Sequence, residues 1–201
     1  MIRKCQNTDM ARTKEFDRDA TLLQAISVFS QHGYEGTSTE VLLKTMGISR
    51  QSLYDTYGDK WRLYLESLQR YVSDSVGAHL VTLEHAAGGL AAIEAFLIRA
   101  VNQARADASP ACLGVSAVCE FGRSAPEVVA LTEAAGRLLV DALKRRLREA
   151  ASRAEMAPDI DIDDAAAFLA STLTGIKVAA RAGASQDSLP GIARMALRSL
   201  R

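Results

Sequence analysis

Four consecutive polar residues, Ser49-Arg50-Gln51-Ser52, follow Gly47 in the sequence, and each of their side chains can form hydrogen bonds. Thr37 with Glu40 three residues later has the pattern of a capping box, which predicts a short helix that Gly47 ends. Ser49 can cap the next helix, so the two are joined by the short turn that is typical of a helix-turn-helix. That motif directs the first residues of its second helix at DNA bases in the major groove. Two turns of an ordinary helical bundle are the alternative, but they would more naturally expose Glu and Lys.

Catalytic and metal-binding patterns find little support in the sequence. It contains three histidines, His32, His79 and His85. There is no HExxH motif, no Gly-rich phosphate loop and no arrangement of these histidines with a Ser or Cys nucleophile. His79 and His85 are six residues apart and point to different faces of a helix, which makes them a poor pair of metal ligands. We therefore expect no catalytic residue, metal or cofactor, and a small all-α enzyme is the weakest alternative.

Cysteine usage favours reduced thiols over a disulfide or a zinc site. Cys5, Cys112 and Cys119 are an odd number and form no CxxC motif. Within one straight helix, Cys112 and Cys119 would lie about 10 Å apart, beyond the roughly 7 Å limit between Cα atoms for a disulfide. Cys112 is expected in the first turn of a helix, where the dipole favours the thiolate, so it is a candidate sensor of oxidants or electrophiles. An inert, small apolar residue is the plainer interpretation of such a cysteine.

The charge balance excludes indiscriminate binding of phosphate by a strongly basic chain. Lys and Arg number 24, Asp and Glu also number 24, and the formal net charge is zero. Any DNA contact must therefore come from a local patch. Residues 1–14 contain four cations and one acid, a net charge of +3, so this arm is a candidate patch, although a solvated, flexible tail is the simpler interpretation.

Few aromatic residues and abundant Ala and Leu predict an all-α fold. Apolar residues at helical spacing indicate about nine helices and no strand. The first predicted helix covers residues 17–31, the second is eight or nine residues long from Thr37, the third covers residues 49–55, and the fourth is about 25 residues long after Asp59. The remaining five cover residues 93–104, 111–121, 126–155, 165–179 and 189–200. We divide the chain into a flexible arm (1–16), a helix-turn-helix domain (17–62) and a second domain (63–201). The fourth helix, which begins at residue 59, connects the two domains. No apolar run approaches the roughly 18 residues of a membrane span, and no signal peptide is evident, so we expect no membrane partner and a cytoplasmic location.

The segment GYEGTSTEVLLKTMGISRQSLYDTYGDKWRLY resembles the DNA-binding segment of tetracycline-repressor-type (TetR/AcrR-like) transcriptional regulators. The matching features are Gly33-Tyr34, Thr37-Ser38, Leu42, Gly47-Ile48-Ser49, Leu53-Tyr54, Tyr57, Lys60 and Leu63. The resemblance covers about residues 17–65, and the remainder is similar to the family only in the number and order of its helices.

The resemblance implies roles for individual residues. Thr37, Ser38 and Thr39 would meet DNA phosphate at the positive end of a helix dipole. Tyr54 and Lys60 match the family's phosphate-contacting tyrosine and lysine. Arg50 and Gln51 would read bases, because Arg suits guanine O6/N7 and Gln suits adenine N6/N7.

Three positions depart from the family's pattern. Thr56 stands where relatives often carry His or Tyr, so a contact with the DNA backbone there would be shorter or lost. Tyr57 replaces the usual Phe and is expected to be a core residue with a polar tip. Leu43 replaces a small residue, so the packing between the first two helices must be adjusted.

In this family the carboxyl-terminal helices bind an effector and form a homodimer, so the resemblance implies both for this chain. The dimer candidates are Leu169, Thr172, Ile176, Ala179, Leu189, Ile192, Ala196 and Leu200. The candidates for lining an apolar effector pocket are Leu68, Tyr71, Phe96, Cys112, Ser116, Cys119, Glu120, Phe168, Thr172 and Lys177. For both sets, plain core or surface packing is the alternative.

A two-fold dimer implies a double-stranded palindromic operator whose half-sites lie about one turn (~34 Å) apart. The expected function is therefore a repressor that a small-molecule effector releases from such an operator. Release by reaction at Cys112 is one alternative. Another is an architectural, nucleoid-type DNA-binding protein that responds to no ligand, and its binding would track salt rather than sequence.

Overall fold

The computed structural model describes residues 17–106, 112–185 and 187–201, and that part of the chain contains nine α-helices. The helices are α1 (Arg18–His32), α2 (Thr39–Met46), α3 (Arg50–Tyr57), α4 (Lys60–His85), α5 (Gly89–Ala106), α6 (Leu113–Phe121), α7 (Pro126–Ser152), α8 (Ile162–Arg181) and α9 (Ser188–Arg198). No strand occurs within the described residues, and the all-α prediction is confirmed. The basic arm and Cys5 lie outside the described residues, as does the predicted first residue of the sixth helix, Ala111.

Side-chain caps fix where the first four helices begin. Asp17 accepts hydrogen bonds from two backbone N–H groups of α1, Ser49 accepts one from Ser52 in α3, and Asp59 accepts one from Arg62 in α4. Such caps satisfy N–H groups that have no partner inside the helix. The prediction that Thr37 caps α2 is wrong: Ser38 is the cap, and its Oγ accepts from the Val41 N–H at 3.2 Å.

Positive backbone φ angles end α2 and α3. Gly47 follows α2 with φ 63°, and Gly58 follows α3 with φ 85°. Because side chains other than glycine rarely adopt such angles, these glycines turn the chain where both helices must stop. The structure therefore carries α3 to Tyr57, two residues beyond the predicted end at Asp55.

The buried side chains form two clusters that share α4. The first cluster, which we call the DNA-side core, joins α1 to α4 with α6 and the start of α7; its members are Leu22, Ala25, Val28, Phe29, Leu42, Met46, Leu53, Tyr57, Leu63, Tyr64, Leu68, Leu113, Ala117, Ala125 and Val128. The second, the carboxyl-side core, joins the end of α4 with α5, α7, α8 and α9. Since Leu63, Tyr64 and Leu68 belong to the first cluster, the two units meet within α4, beyond residue 62.

The joint between α4 and α5 depends on a glycine pair and two carboxylates. Gly88 and Gly89 have φ angles of 91° and 56°. A Cβ on either glycine would collide with a carboxylate, that of Glu149 or that of Glu155. Glu155 accepts a hydrogen bond from the backbone N–H of Leu90 at 2.7 Å, at the start of α5. The joint therefore ties the end of α4 and the start of α5 to the carboxyl end of α7.

Candidate nucleic-acid interface and effector pocket

Helix α3 buries one face and leaves a polar face in solvent. Leu53 and Tyr57 point into the DNA-side core, where both are buried. Arg50, Gln51 and Tyr54 lie on the other side of the helix and are exposed, because residues three and four apart share a helix face. The predicted base-reading residues are thus brought together on one accessible surface.

Neighbouring carboxylates pair with these groups in the free chain. Arg50 forms an ion pair of 2.7 Å with Glu40 of α2, and the Gln51 amide donates to Asp55 at 2.7 Å. The pKa of Glu40 is below its ordinary value, because its carboxylate accepts a hydrogen bond from its own backbone N–H and another from Arg50. An exposed ion pair is weak and exchangeable, so Arg50 can leave Glu40 for a base edge.

The three predicted phosphate-contacting residues at the start of α2 differ in their exposure to solvent. Ser38 is exposed and Thr39 is half-buried, both beside the free N–H groups of the helix. Thr37 is only 1% exposed, and its hydroxyl donates to the carbonyl of Gly33 at 2.6 Å. The prediction of a phosphate contact at Thr37 is therefore wrong, because its side chain is committed to closing the turn between α1 and α2.

Tyr54 lies in the second half of α3, and Lys60 is the first residue of α4. Tyr54 is 45% exposed. The Lys60 ammonium lies 4.1 Å from the ring centroid of Tyr34, an arrangement that favours a cation over the ring face. Thr56 is half-buried. The role of each in contacting DNA phosphate remains a prediction.

Tyr57 is a core residue with a polar tip, as the sequence predicts. Its hydroxyl lies 2.7 Å from the Thr21 hydroxyl and donates to the carbonyl of Arg18 at 3.1 Å, while its ring is buried. The hydroxyl therefore ties α3 to the first turn of α1, which a phenylalanine cannot do.

Sequence reasoning missed the contact between α6 and the turn after α1. The Glu120 carboxylate accepts hydrogen bonds from the backbone N–H groups of Tyr34, at 2.9 Å, and Glu35, at 2.7 Å. The prediction assigned Glu120 to the effector pocket, but it is absent from the pocket's walls. These partners are 86 and 85 residues apart, so no local pattern could have revealed the contact.

An aromatic cluster surrounds that contact. Ring centroids of Tyr34, Trp61, Tyr64 and Phe121 lie 5.2–5.8 Å apart, which is the spacing of favourable aromatic pairs. Phe121 comes from α6, and the other three come from α4 and the turn after α1. A displacement of α6 would therefore change the aromatic packing at the base of the helix-turn-helix.

A cavity of about 380 Å³ lies between α4, α6, α7 and α8. Its lining residues are Tyr71, Val72, Ser75, Val76, Cys112, Gly114, Val115, Val118, Cys119, Thr132, Ala135, Gly136, Leu173, Thr174, Lys177 and Val178. Four of the ten predicted pocket residues, Tyr71, Cys112, Cys119 and Lys177, are among them. The cavity has a size typical of small-molecule sites, and α6 forms one of its walls.

The other predicted pocket residues lie elsewhere. Leu68 and Phe96 are fully buried within the two cores. The Ser116 hydroxyl accepts a hydrogen bond from Arg181, and the Thr172 hydroxyl donates to the carbonyl of Phe168. The Phe168 side chain is itself exposed. Helical periodicity identified apolar faces, but it did not tell which of them border a cavity.

Most of the predicted dimer residues pack inside the single chain. The fully buried ones are Leu169, Ile176, Leu189, Ala196 and Leu200, and the half-buried ones are Thr172, Ala179 and Ile192. The buried five close the carboxyl-side core, so their side chains are not available to a partner. On the outer faces of α8 and α9, Phe168 and Met195 are 44% and 62% exposed.

Over the described ranges, no three His, Cys, Asp or Glu side chains lie close enough to hold a metal ion. In the same part of the chain, none of the helices combines the length and apolar character needed to cross a membrane.

Comparisons with known proteins agree with this geometry. The family model described as "Bacterial regulatory proteins, tetR family" matches residues 22–66, and "Tetracyclin repressor-like, C-terminal domain" matches residues 86–196. The chain is 35% identical over 182 residues to the uncharacterized HTH-type transcriptional regulator YezE of Bacillus subtilis, covering 90% of this chain and 94% of that protein. It is 28% identical to the HTH-type transcriptional repressor ComR of Escherichia coli, with 97% and 94% covered.

Solved structures share the whole fold. A cysteine mutant of the TetR family transcriptional regulator CifR, solved with 26-base-pair double-strand operator DNA, superposes with a TM-score of 0.83 at 28% identity, covering 94% of this chain and 100% of that chain. The reduced form of Escherichia coli NemR has a TM-score of 0.80 at 18% identity, with 92% and 96% covered, and supports the fold alone. The chain belongs to the TetR family of transcriptional regulators, which bind DNA through a helix-turn-helix.

Proposed function

We propose that this chain is a repressor that binds a palindromic operator as a homodimer and is released by a small-molecule effector. The observation that carries the DNA-binding part is the exposed polar face of α3, where Arg50, Gln51 and Tyr54 lie together on a helix capped by Ser49. Two relatives support the role, since ComR is named a repressor and CifR was solved on operator DNA. Such a regulator acts where bacterial DNA is, in the cytoplasm.

The dimer proposal rests on the outer faces of α8 and α9. Phe168 and Met195 leave large apolar side chains in solvent, and both helices pack on the carboxyl-side core. Large exposed apolar side chains on adjacent helices favour burial against a partner. A two-fold axis through this surface would present two copies of α3 to one DNA duplex.

The effector proposal rests on α6, which borders the cavity at one end and holds the DNA-side core at the other. Gly114, Val115 and Val118 line the cavity. Glu120 and Phe121, at the end of the same helix, contact the turn between α1 and α2 and the aromatic cluster. A ligand that shifts α6 would therefore change the placement of α3, which couples the two sites.

Selection of bound duplexes from a random DNA pool tests the proposal. We expect a palindrome with half-sites about one helical turn apart, because two copies of α3 must reach successive faces of the groove. Variants Arg50→Ala and Arg148→Ala serve as test and control, since Arg148 is an exposed residue of α7 far along the chain. A featureless or non-palindromic selection would count against the proposal.

Reaction at a thiol is a second candidate for the release step, because Cys112 and Cys119 both line the cavity. The Cys112 thiol first loses its proton to solvent, and the thiolate then adds to one carbon of an activated C=C bond. One C–S bond forms as the C=C π bond breaks, and the neighbouring carbon takes a proton from water. Release of the operator by electrophiles should then disappear in Cys112→Ser while Cys119→Ser retains it. Unchanged release in both variants would exclude this route.

A further inference from the structure

The described residues that line the cavity carry positive charge and no negative charge. Of the sixteen described lining residues, Lys177 is charged and the other fifteen are not. The apolar part of the wall comes mainly from the branched side chains of Val72, Val76, Val115, Val118, Leu173 and Val178. A cation at the edge of an apolar cavity defines a polar end and an apolar end for any ligand.

Lys177 has only a weak polar partner. Its half-buried ammonium donates to the Ser75 hydroxyl at 3.4 Å, and no carboxylate within the described ranges forms an ion pair with it. Removing a charge from water is unfavourable unless an opposite charge or several hydrogen bonds compensate it. An anionic group beside Lys177 and Ser75 would supply that compensation.

The neighbouring groups of Lys177 on α4 and α8 are positively charged or neutral. Arg181, one turn further along α8, donates to the Ser116 hydroxyl at 2.9 Å. His79, one turn from Ser75 on α4, is 1% exposed, and neither ring nitrogen has a hydrogen-bond partner among the described residues. Burial first, and then the charges of Lys177 and Arg99, lower the pKa of His79 to about 4, which keeps the ring neutral. This part of the interior therefore disfavours any further cation.

We propose that the cavity binds an amphipathic organic anion, a carboxylate on an apolar body. The carboxylate lies against the Lys177 ammonium and the Ser75 hydroxyl, and the apolar body lies between α4, α6 and α8. This inference rests on the proposed effector role of the cavity and adds the chemical class of the effector. It also separates this chemistry from neutral or cationic apolar ligands, which would leave the Lys177 charge uncompensated.

The only tryptophan of the chain reports on binding. The Trp61 ring centroid lies 5.4 Å from that of Phe121, at the end of the helix that lines the cavity. Titrations of the full chain, without DNA, with octanoate, 1-octanol and octylammonium should be followed by Trp61 fluorescence and by calorimetry. A hydrogen bond to a charged group makes octanoate bind about ten- to hundredfold more tightly than 1-octanol, with octylammonium the weakest.

Variants assign the preference to Lys177. Lys177→Met should lose the ten- to hundredfold advantage of octanoate while binding 1-octanol as the wild type does, and Lys177→Arg should retain most of it. Arg148→Met is the matched control for a lost surface cation. Equal or tighter binding of the alcohol by the wild type, undiminished octanoate binding by Lys177→Met, or an equal loss in Arg148→Met would overturn the inference.

Operator-release measurements separate this inference from the proposed function. Release by 1-octanol as readily as by octanoate would support an effector role and contradict the anion preference. Tight, Lys177-dependent octanoate binding without release would support the anion site and contradict the effector role.

Discussion

The two halves of the molecule distribute polar and apolar groups in opposite ways. On the DNA side, the buried hydroxyls of Thr21 and Thr37 are satisfied within the chain: Thr21 bonds to Tyr57, and Thr37 bonds to Gly33. Its outer face, on α3, is polar. On the carboxyl side, Arg99 Nε and Gln103 Oε1 of α5 are buried without a hydrogen-bond partner among the described residues, and the outer faces of α8 and α9 expose Phe168 and Met195.

This difference indicates which half is complete by itself. Bonded interior polar groups hold the helix-turn-helix in one geometry before DNA arrives, which preserves the alignment of its reading face. Unpartnered polar atoms and exposed apolar side chains indicate cavities that bind a ligand and surfaces that bind another protein chain. Tyr64, Ser67 and His79 also have buried polar atoms without a hydrogen-bond partner among the described residues, and all three lie on α4, the helix that the two cores share.

The largest effect should follow from charging the apolar outer face. Phe168→Glu combined with Met195→Glu places two carboxylates where a partner would pack, so we expect monomers in sedimentation. Loss of simultaneous binding to two half-sites should weaken operator binding by about 10²- to 10⁴-fold. Val81→Glu with Ile98→Glu is the matched control, because these apolar residues are similarly exposed on α4 and α5. A dimer that survives the first pair of substitutions would place the interface elsewhere.

Removing the main predicted base reader should have the next largest effect. Arg50→Ala loses a bidentate contact with guanine, so operator affinity should fall by up to about 3 kcal/mol, with relaxed preference at one position of each half-site. Anisotropy titrations with the selected operator and with its single-base variants measure both quantities. Arg148→Ala should bind like the wild type. If Arg50→Ala weakens all sequences equally, Arg50 contacts phosphate rather than a base.

Acid should destabilise the carboxyl side through His79. Its pKa in the folded chain is lowered from 6.5 to about 4, first by burial and then by Lys177 and Arg99. The unfolded chain therefore binds the proton more tightly, so this stabilisation is present above pH 6.5 and is lost as the pH falls toward 4. Between pH 7 and pH 5 we expect a loss of roughly 2 kcal/mol in the free energy of unfolding.

Urea unfolding at the two pH values isolates the His79 contribution by difference. His79→Gln or His79→Leu should show a correspondingly smaller loss between pH 7 and pH 5 than the wild type. His85→Gln, which changes an exposed histidine of the same helix, should lose as much as the wild type. An identical pH dependence in the His79 variants would show that the ring does not titrate in this way.

The smallest effect should come from removing the Tyr57 hydroxyl, the polar tip of a side chain in the DNA-side core. Tyr57→Phe removes the hydroxyl that bonds to Thr21 and Arg18, and should cost about 1 kcal/mol of unfolding free energy. The Thr21 hydroxyl keeps the carbonyl of Arg18 as a partner at 2.9 Å, which limits the loss. Thermal unfolding of Tyr57→Phe beside Tyr54→Phe, which alters an exposed hydroxyl, measures the difference. A larger loss in Tyr54→Phe would contradict this account of the core.

Local sequence patterns predicted the DNA side well because its structure is set by neighbours in the chain. Ser49 and Asp59 cap their helices, and Gly47 and Gly58 end the preceding ones, all within a few residues. The cap of α2 was misassigned because Thr37 and Ser38 are adjacent hydroxyl residues. Only the fold shows that Thr37 turns inward to Gly33.

The carboxyl side was less predictable because its sites depend on contacts between distant helices. Apolar periodicity correctly predicted helices there but could not separate the face of α8 that closes the core, at Leu169 and Ile176, from the face that Phe168 exposes. In the sequence, Lys177 interrupts the mostly apolar run 168–182. Its partner Ser75 is 102 residues away, so only the structure brings the two together.

The most direct test of the central claim compares affinity for the selected palindrome with affinity for a scrambled duplex of equal length and composition at physiological salt. For a regulator that reads bases through α3, we expect a preference of at least about 10³-fold, with two chains bound per palindrome. Equal affinities that fall together as salt rises would instead indicate an architectural protein held by phosphate alone, and would contradict the account.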